Sequence, residues 1–303
     1  MDIINIPLGW ILAGIYWLVG NYGFTLILFT LVMKMILLPL NFKQQKSMVQ
    51  TTLLQPKLKA LEKQYGDNKE KYSEEMMKLY KKHGVNPMAG CLPLLLQFPI
   101  LIGLYNVIRY PLFYMRHIPN ETIAQLSAQY GVTSPPVNAQ IELAHKMFLN
   151  GEPMGINFNF FGLDLSQTPQ FGFNLPNLGI SWLWLIPIIA AVTTFLSSKL
   201  MNIGIPKETS DPNKPKRPPK PGEKDPNQTA NTMTMFMPFM TLWFTFIMPT
   251  GISLYWIAGN VIQVAQQYII NRHYVPKIKE RMSRENEELE SNRKKRKNNR
   301  RSR

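Results

Sequence analysis

The run at residues 22–40, YGFTLILFTLVMKMILLPL, constrains the fold most, because its nineteen residues carry a single charge, Lys34. At about 1.5 Å per residue, the run is long enough to cross a hydrocarbon core of about 30 Å. No soluble helix needs so complete an apolar surface, so the run predicts a transmembrane helix. A Lys inside such a helix costs about 2.5 to 3.5 kcal/mol on insertion scales, so Lys34 should have a function that offsets this cost.

Basic residues alternate between rich and poor segments along the chain. Of the 34 Lys and Arg residues, ten lie in 43–83, three in 109–180, seven in 199–232 and thirteen in 272–303. The positive-inside rule places the rich segments in the cytoplasm. The alternation predicts an all-α, polytopic membrane protein with five transmembrane helices, its N-terminus outside and its C-terminus in the cytoplasm.

The first helix is predicted to lie on the outer membrane surface. Residues 3–19 are of borderline length for a span, contain Pro7, and carry Trp10, Tyr16 and Trp17, whose side chains favour the interface. A sixth span is the alternative, and charge does not decide between the two because the N-terminus holds only Asp2. The predicted segments are an N-terminal interfacial helix (1–20), TM1 (21–42), a cytoplasmic helical hairpin (43–86), TM2 (87–108), an extracytoplasmic region (109–179), TM3 (180–200), a cytoplasmic Pro-rich loop (201–231), TM4 (232–249), TM5 (252–271) and a basic cytoplasmic tail (272–303).

The charged segment after TM1 has the pattern of two paired helices. Pro56 suits the first turn of one helix, Gly66-Asp67-Asn68 is a turn signal, and Gly84 can end the second helix. A patterned segment of this length favours a partner-binding role over a mere connector.

Polar residues in the predicted spans fall on single helical faces. In TM5, Ser253, Trp256, Asn260, Gln263 and Gln267 are spaced by three or four residues, which places them on one side of a helix. Such stripes either surround a hydrated cavity or join helices to one another, and both interpretations stay open. The residues predicted to line the cavity are Lys34, Thr30, Gln97, Thr194, Ser198, Trp256, Asn260 and Gln263.

Lys34 has no acidic partner in the predicted spans, because none of them contains Asp or Glu. An unpaired cation in a cavity open to the cytoplasm would attract a transient anion, such as an acidic segment of another chain. The alternatives are a Lys whose amine snorkels to the inner interface and a purely structural role.

The C-terminal tail predicts binding to polyanions. It has thirteen basic residues against five acidic ones, and anionic lipid headgroups and RNA are the candidate ligands. Solvated charge that only fixes the topology is the alternative. The four His residues are scattered and no catalytic motif is present, so we expect neither bond chemistry nor a metal or cofactor.

Four segments resemble the YidC/Oxa/Alb family of membrane protein insertases, and the resemblance covers residues 21–274. They are NYGFTLILFTLVMKMILLPL, LLQPKLKALEKQYGDNKEKYSEEMMKLYKKHGVNPMAGCLPLLLQFPI, MFMPFM and PTGISLYWIAGNVIQVAQQYI. The lack of a large outer domain before Asn21 resembles members from Gram-positive bacteria.

The resemblance implies five spans around a hydrophilic groove that is open to the cytoplasm and to lipid and closed to the outside. The groove carries a positive residue, usually Arg, at the position of Lys34, and Thr30 and Trp256 match positions that line it. The hairpin at 57–82 matches a mobile cytoplasmic region needed for insertion, and the basic tail resembles tails that contact ribosomes.

The implied activity is nucleotide-independent insertion of nascent membrane proteins into a bacterial plasma membrane. The implied partners are those nascent chains, the ribosome and membrane lipids, with the Sec translocon and the signal recognition particle receptor as further candidates. A solute transporter and an intramembrane acyltransferase are the competing hypotheses. The lack of internal repeats argues against the transporter, and the lack of a His/Asp/Ser constellation argues against the enzyme.

Overall fold

The computed structural model describes residues 2–65, 68–85, 92–133, 139–169, 182–201 and 226–277, with a few single positions beyond. It is mostly helical. The helices are α1 (Asp2–Val19), α2 (Tyr22–Ile36), α3 (Leu38–Leu53), α4 (Gln55–Tyr65), α5 (Lys69–Lys82), α6 (Leu92–Arg109), α7 (Pro111–Tyr114), α8 (Asn120–Gln129), α9 (Ala139–Leu149), α10 (Leu185–Met201), α11 (Pro226–Ile247) and α12 (Thr250–His273), with a two-stranded antiparallel sheet of β1 (Asn159–Phe160) and β2 (Leu163–Asp164).

The chain divides into two compact units. The first contains the described residues within 1–37, 94–199 and 217–264, and the second those within 38–93, 200–216 and 265–303. In the first unit, Leu12, Leu26, Leu104, Leu143 and Ile252 are almost fully buried in one apolar core. That core therefore joins residues from α1, α2, α6, α9 and α12.

The apolar run at residues 22–40 is not one continuous helix. Helix α2 ends at Ile36, Leu37 is a turn, and α3 begins at Leu38. Pro39 explains the break, because a proline lacks an amide hydrogen and its ring clashes with the carbonyl four residues earlier. The predicted TM1 boundary at residue 42 therefore falls inside α3.

Few of the described helices are both long enough and apolar enough to cross a membrane. Helix α1 is so alone, and α2 only together with α3 as a bent pair. The apolar parts of α6, α10 and α11 are shorter. The count of five spans accordingly stays a prediction.

Helix α11 begins at Pro226, inside the stretch predicted as the Pro-rich loop. A proline is well accommodated in the first turn of a helix, where its missing amide hydrogen would have no partner. The prediction of loop up to residue 231 was wrong there. The rest of that loop, the turn at residues 66–67, the start of TM2 at 87–91 and most of the basic tail lie outside the described residues.

One segment, Asn157–Gln167, holds the first turns of both α2 and α12. The amide of Tyr22 donates to the carbonyl of Asn157 over 3.0 Å. The carbonyl of Gln167 accepts from both the amide and the hydroxyl of Thr250, over 2.9 and 2.6 Å. These bonds satisfy amides that a helix leaves unpaired at its N-terminus.

Helix α1 contacts the predicted extracytoplasmic region near both of its ends. The side-chain amide of Asn5 donates to the Tyr114 hydroxyl over 3.0 Å. The backbone amide of Asn157 donates to the Tyr16 hydroxyl over 2.8 Å. A helix crossing the bilayer would carry its two ends to opposite sides. The contacts therefore support the interfacial placement, which remains a prediction because α1 also has the length of a span.

In the second unit, α4 and α5 pack around a small core of Leu54, Leu58, Tyr80 and Val85, each at most 7% exposed. Asn68 caps α5 by accepting from the amide of Lys71, and Gly84 follows its end with a left-handed backbone. The outer face is charged, and hydrogen bonding to Lys78 lowers the pKa of the Glu74 carboxyl. The predicted hairpin segment thus has its own apolar core and a hydrated surface.

Candidate functional site

Lys34 lies in the last turn of α2 and points toward α12. Its ammonium donates to the side-chain carbonyl of Gln263 over 3.3 Å, and the bond is partly buried. Among the described residues, the ammonium has no carboxylate within ion-pair distance. The cation is therefore held by a neutral dipole, and no carboxylate in the described part of the chain compensates its charge.

Gly259 provides space beside this cation. A Cβ built at Gly259 would lie 3.8 Å from both the Lys34 Cε and the Thr30 Cγ2, which is ordinary van der Waals contact. The space next to the lysine stem is thus open to a small group on α12, and a larger side chain there would compete with anything that approaches Lys34.

Asn260 joins α12 to α10. Its amide donates to the hydroxyls of Thr194, over 2.8 Å, and Thr193, over 3.2 Å, and Asn260 and Thr194 are buried. The two threonine hydroxyls in turn donate to the carbonyl of Ala190. This network fits helix joining rather than cavity lining for Asn260 and Thr194, and both roles stood open in the sequence.

We expect Asn260→Ala to destabilise the protein by about 1 kcal/mol, because interhelical hydrogen bonds in membranes contribute about 0.6 to 1.7 kcal/mol. Thermal unfolding in detergent measures the loss, and a double-mutant cycle with Thr194→Val isolates the pair. Val261→Ala is the matched control, since Val261 is 56% exposed on the same helix. Independent effects of the Asn260 and Thr194 variants would contradict the network.

The remaining predicted site residues contribute unequally. Thr30 is buried, and its hydroxyl donates to the Leu26 carbonyl, so its one proton is used within α2. Trp256 is half-buried on α12, and Ser198 lies on α10. Gln97 belongs to α6, but its side chain lies outside the described part of the chain.

Two residues of the site were missed from the sequence. Thr193 could have been found as the polar neighbour of Thr194 in an apolar helix. Gly259 gave a weaker signal, a glycine beside Asn260 in the middle of a predicted span. The role of Gly259 depends on which side chains of α2 lie next to it, and helical spacing within α12 does not predict which residues of another helix those are.

Comparisons with known proteins agree on one family. Residues 14–279 match the family described as "60Kd inner membrane protein". A membrane protein insertase YidC of Nitratidesulfovibrio vulgaris is 33% identical over 250 residues, which is 82% of this chain and 34% of that protein. A protein of the same name from Francisella tularensis subsp. novicida is 29% identical over 265 residues, covering 88% of this chain and 35% of its own length.

A solved structure has the same fold. The crystal structure described as an active YidC insertase with the first transmembrane domain resolved matches with a TM-score of 0.50 and 23% identity. The match covers 88% of this chain and 46% of that one. The chain therefore spans about a third of the length of the curated relatives it matches and less than half of the solved neighbour.

Proposed function

Because the chain belongs to the 60Kd inner membrane protein family, which comprises the YidC/Oxa/Alb proteins, we propose that it is a membrane protein insertase. In this proposal it moves apolar segments of nascent proteins from the cytoplasm into the lipid bilayer. The step is a transfer without nucleotide hydrolysis, and the client approaches through a hydrophilic groove that contains Lys34.

The observation that best supports this proposal is the hydrogen bond between Lys34 and Gln263. A lysine held by a neutral amide keeps its attraction for an anion, and that attraction grows as the surroundings become less polar. A carboxylate of a client segment would gain a charge-assisted hydrogen bond from the ammonium, which is roughly twice as strong as a neutral one. The ammonium can then stabilise an acidic client residue that would otherwise enter the membrane without a partner.

The driving force for release lies in the client. A segment of about 20 apolar residues gains free energy when it moves from water into the hydrocarbon core. The polar groups near Lys34 lower the cost of moving the acidic part of the client, and the apolar part then leaves sideways into lipid. The protein in this mechanism supplies a path and no chemical step.

The other parts of the proposal concern topology and partners. We place the N-terminus outside, the C-terminus in the cytoplasm, and the α4–α5 hairpin with its charged face on the cytoplasmic side. The basic tail is proposed to contact the ribosome, and the Sec translocon and the signal recognition particle receptor are proposed as further partners. The alternation of basic residues along the chain supports this topology.

Crosslinking tests whether the client meets this site. In a Cys91→Ser background, Gln263→Cys is expected to form a disulfide with a cysteine placed beside the acidic residue of a single-span client, in liposomes during insertion. Val261→Cys is the matched control, because it lies two residues away on the same helix and is 56% exposed. We expect the yield at residue 263 to exceed that at 261 several-fold.

Either of two results would contradict the proposed route. Equal yields at residues 261 and 263 would mean that the client approaches α12 without preference for the Lys34 side. Insertion with no crosslink at residue 263 would place the path elsewhere in the protein.

A further inference from the structure

The turn between β1 and β2 carries an unusual residue. Asn159 pairs with Asp164 and Phe160 with Leu163, so Phe161 and Gly162 form a two-residue turn. Both have left-handed backbones, with φ of 50° and 79°. Such turns favour Asn or Gly, because a Cβ is strained at positive φ. A phenylalanine at the first position is therefore a poor choice for the turn itself.

The surroundings hold this strained conformation in place. The side-chain oxygen of Asn159 accepts from the Gly162 amide over 3.0 Å, and the Leu165 amide donates to the Phe158 carbonyl over 3.0 Å. The strain is not compensated by burial of the aromatic ring, since Phe161 is 82% exposed. Strain that persists at an exposed residue is a reason to look for a function there.

The hairpin tip lies against the first turn of α2. The side-chain amide of Asn21 donates to the backbone carbonyl of Asn159 over 2.8 Å. The Phe160 ring occupies the space over Gly23, where a Cβ would come within 2.2 Å of it. Phe24, on the same turn of α2, lies edge-on to both Phe160 and Phe161, with ring centroids 5.2 and 6.0 Å apart. We call these three rings the Phe patch.

The Phe patch continues an exposed apolar surface. On α2, the side chains of Phe24, Leu28, Leu31 and Met35 are 40–63% exposed, and they follow one another at helical spacing. In a family of inner membrane proteins, such a surface on an apolar helix faces lipid hydrocarbon. Phe161 extends that surface beyond the first turn of α2, to the level at which a membrane interface is expected.

We propose that the β1–β2 hairpin is a lipid anchor that inserts Phe161 into the boundary between headgroups and acyl chains beside the outer end of α2. Charge supports lipid as the occupant, because residues 157–163 carry no charge and Asp164 is bonded to the Ser166 amide over 2.9 Å. The anchor fixes the depth of the hairpin in the membrane. It goes beyond the proposed insertase function and does not depend on it.

Spin-label accessibility of the full chain in phospholipid nanodiscs tests the anchor. In a Cys91→Ser background, a nitroxide is placed at Phe161→Cys and, as a control, at Gln125→Cys on the exposed face of α8. We expect the label at residue 161 to collide with oxygen several-fold more often, and with a water-soluble nickel chelate several-fold less often, than the label at residue 125.

Two results would overturn the anchor. Equal access of nickel chelate at residues 161 and 125 would mean that Phe161 faces water. Protection of residue 161 from both oxygen and nickel would mean that protein covers the patch.

The variant Phe161→Asn separates anchoring from packing. Since asparagine suits the left-handed turn, we expect the melting temperature in detergent to stay the same or rise. The lipid protection of a nitroxide at Phe160→Cys should nevertheless fall in this variant. A lower melting temperature would show that Phe161 packs within the fold, and unchanged protection at residue 160 would show that the ring does not anchor the hairpin.

Discussion

Lys34→Ala and Lys34→Glu are expected to reduce insertion of a client with an acidic N-terminal tail at least about tenfold, whereas Lys34→Arg retains insertion. A tenfold change corresponds to about 1.4 kcal/mol, which one charge-assisted hydrogen bond in a partly buried site can supply. Arginine keeps the positive charge, alanine removes it, and glutamate repels the client carboxylate. Purified protein in liposomes, with protease protection of the inserted tail, measures the effect.

The client provides the sharpest control for this series. A client whose acidic residue is replaced by lysine should be inserted better by Lys34→Glu than by the native chain, which reverses the order of the variants. No general defect in folding produces such a reversal. If all variants insert the acidic client equally, Lys34 only snorkels to the interface, and the polar surroundings of the site carry the function without it.

Leu54→Ala is expected to unfold the α4–α5 hairpin. Leu54 is fully buried, and among the described residues its core has four buried side chains with three partly buried ones packed against them. Truncation of a buried leucine costs about 2 to 5 kcal/mol. So small a core is not expected to absorb that loss. Hydrogen exchange in α4 and α5 should therefore accelerate to the rate of unfolded peptide while α12 stays protected, and insertion activity should fall with it.

Met77→Ala is the matched control on the same hairpin. It also truncates a long apolar side chain, but Met77 is 44% exposed, so exchange and insertion should stay close to native. Retained protection in Leu54→Ala would contradict the role of this core. A hairpin that unfolds while insertion continues at the native rate would separate the hairpin from the proposed activity.

The sequence predicted those features of the site that depend on residue types and spacings within a single helix. Lys34 is the only charge in its apolar run, and its i, i+4 relation to Thr30 predicted that both lie on one face of α2. In the structure both lie beside Gly259 of α12. The polar stripe predicted on α12 contains both Asn260, which contacts α10, and Gln263, which contacts Lys34 on α2, so its lining of a cavity stays a prediction. Helical periodicity carries this information because it is local.

What the sequence could not predict depends on partners far apart in the chain. Whether Asn260 lines a cavity or joins helices is decided by Thr193 and Thr194, which lie 67 and 66 residues away. Thr30 was expected to present a polar group, but its hydroxyl bonds within its own helix, as threonines in helices often do. Pro39 indicated a break near Leu37, but the continuous run of apolar residues around it favoured a single helix.

The dependence of both α2 and α12 on the segment Asn157–Gln167 limits how this sequence can evolve. Tyr22 and Thr250 are tied to the two ends of that segment, and Lys34 and Gln263 sit about three turns further along their helices. An insertion or deletion between residues 157 and 167 would slide one helix past the other and move the ammonium away from its amide. Homologues should therefore vary freely in the length of the loops before Asn157, and keep the number of residues in this segment constant even where its side chains differ.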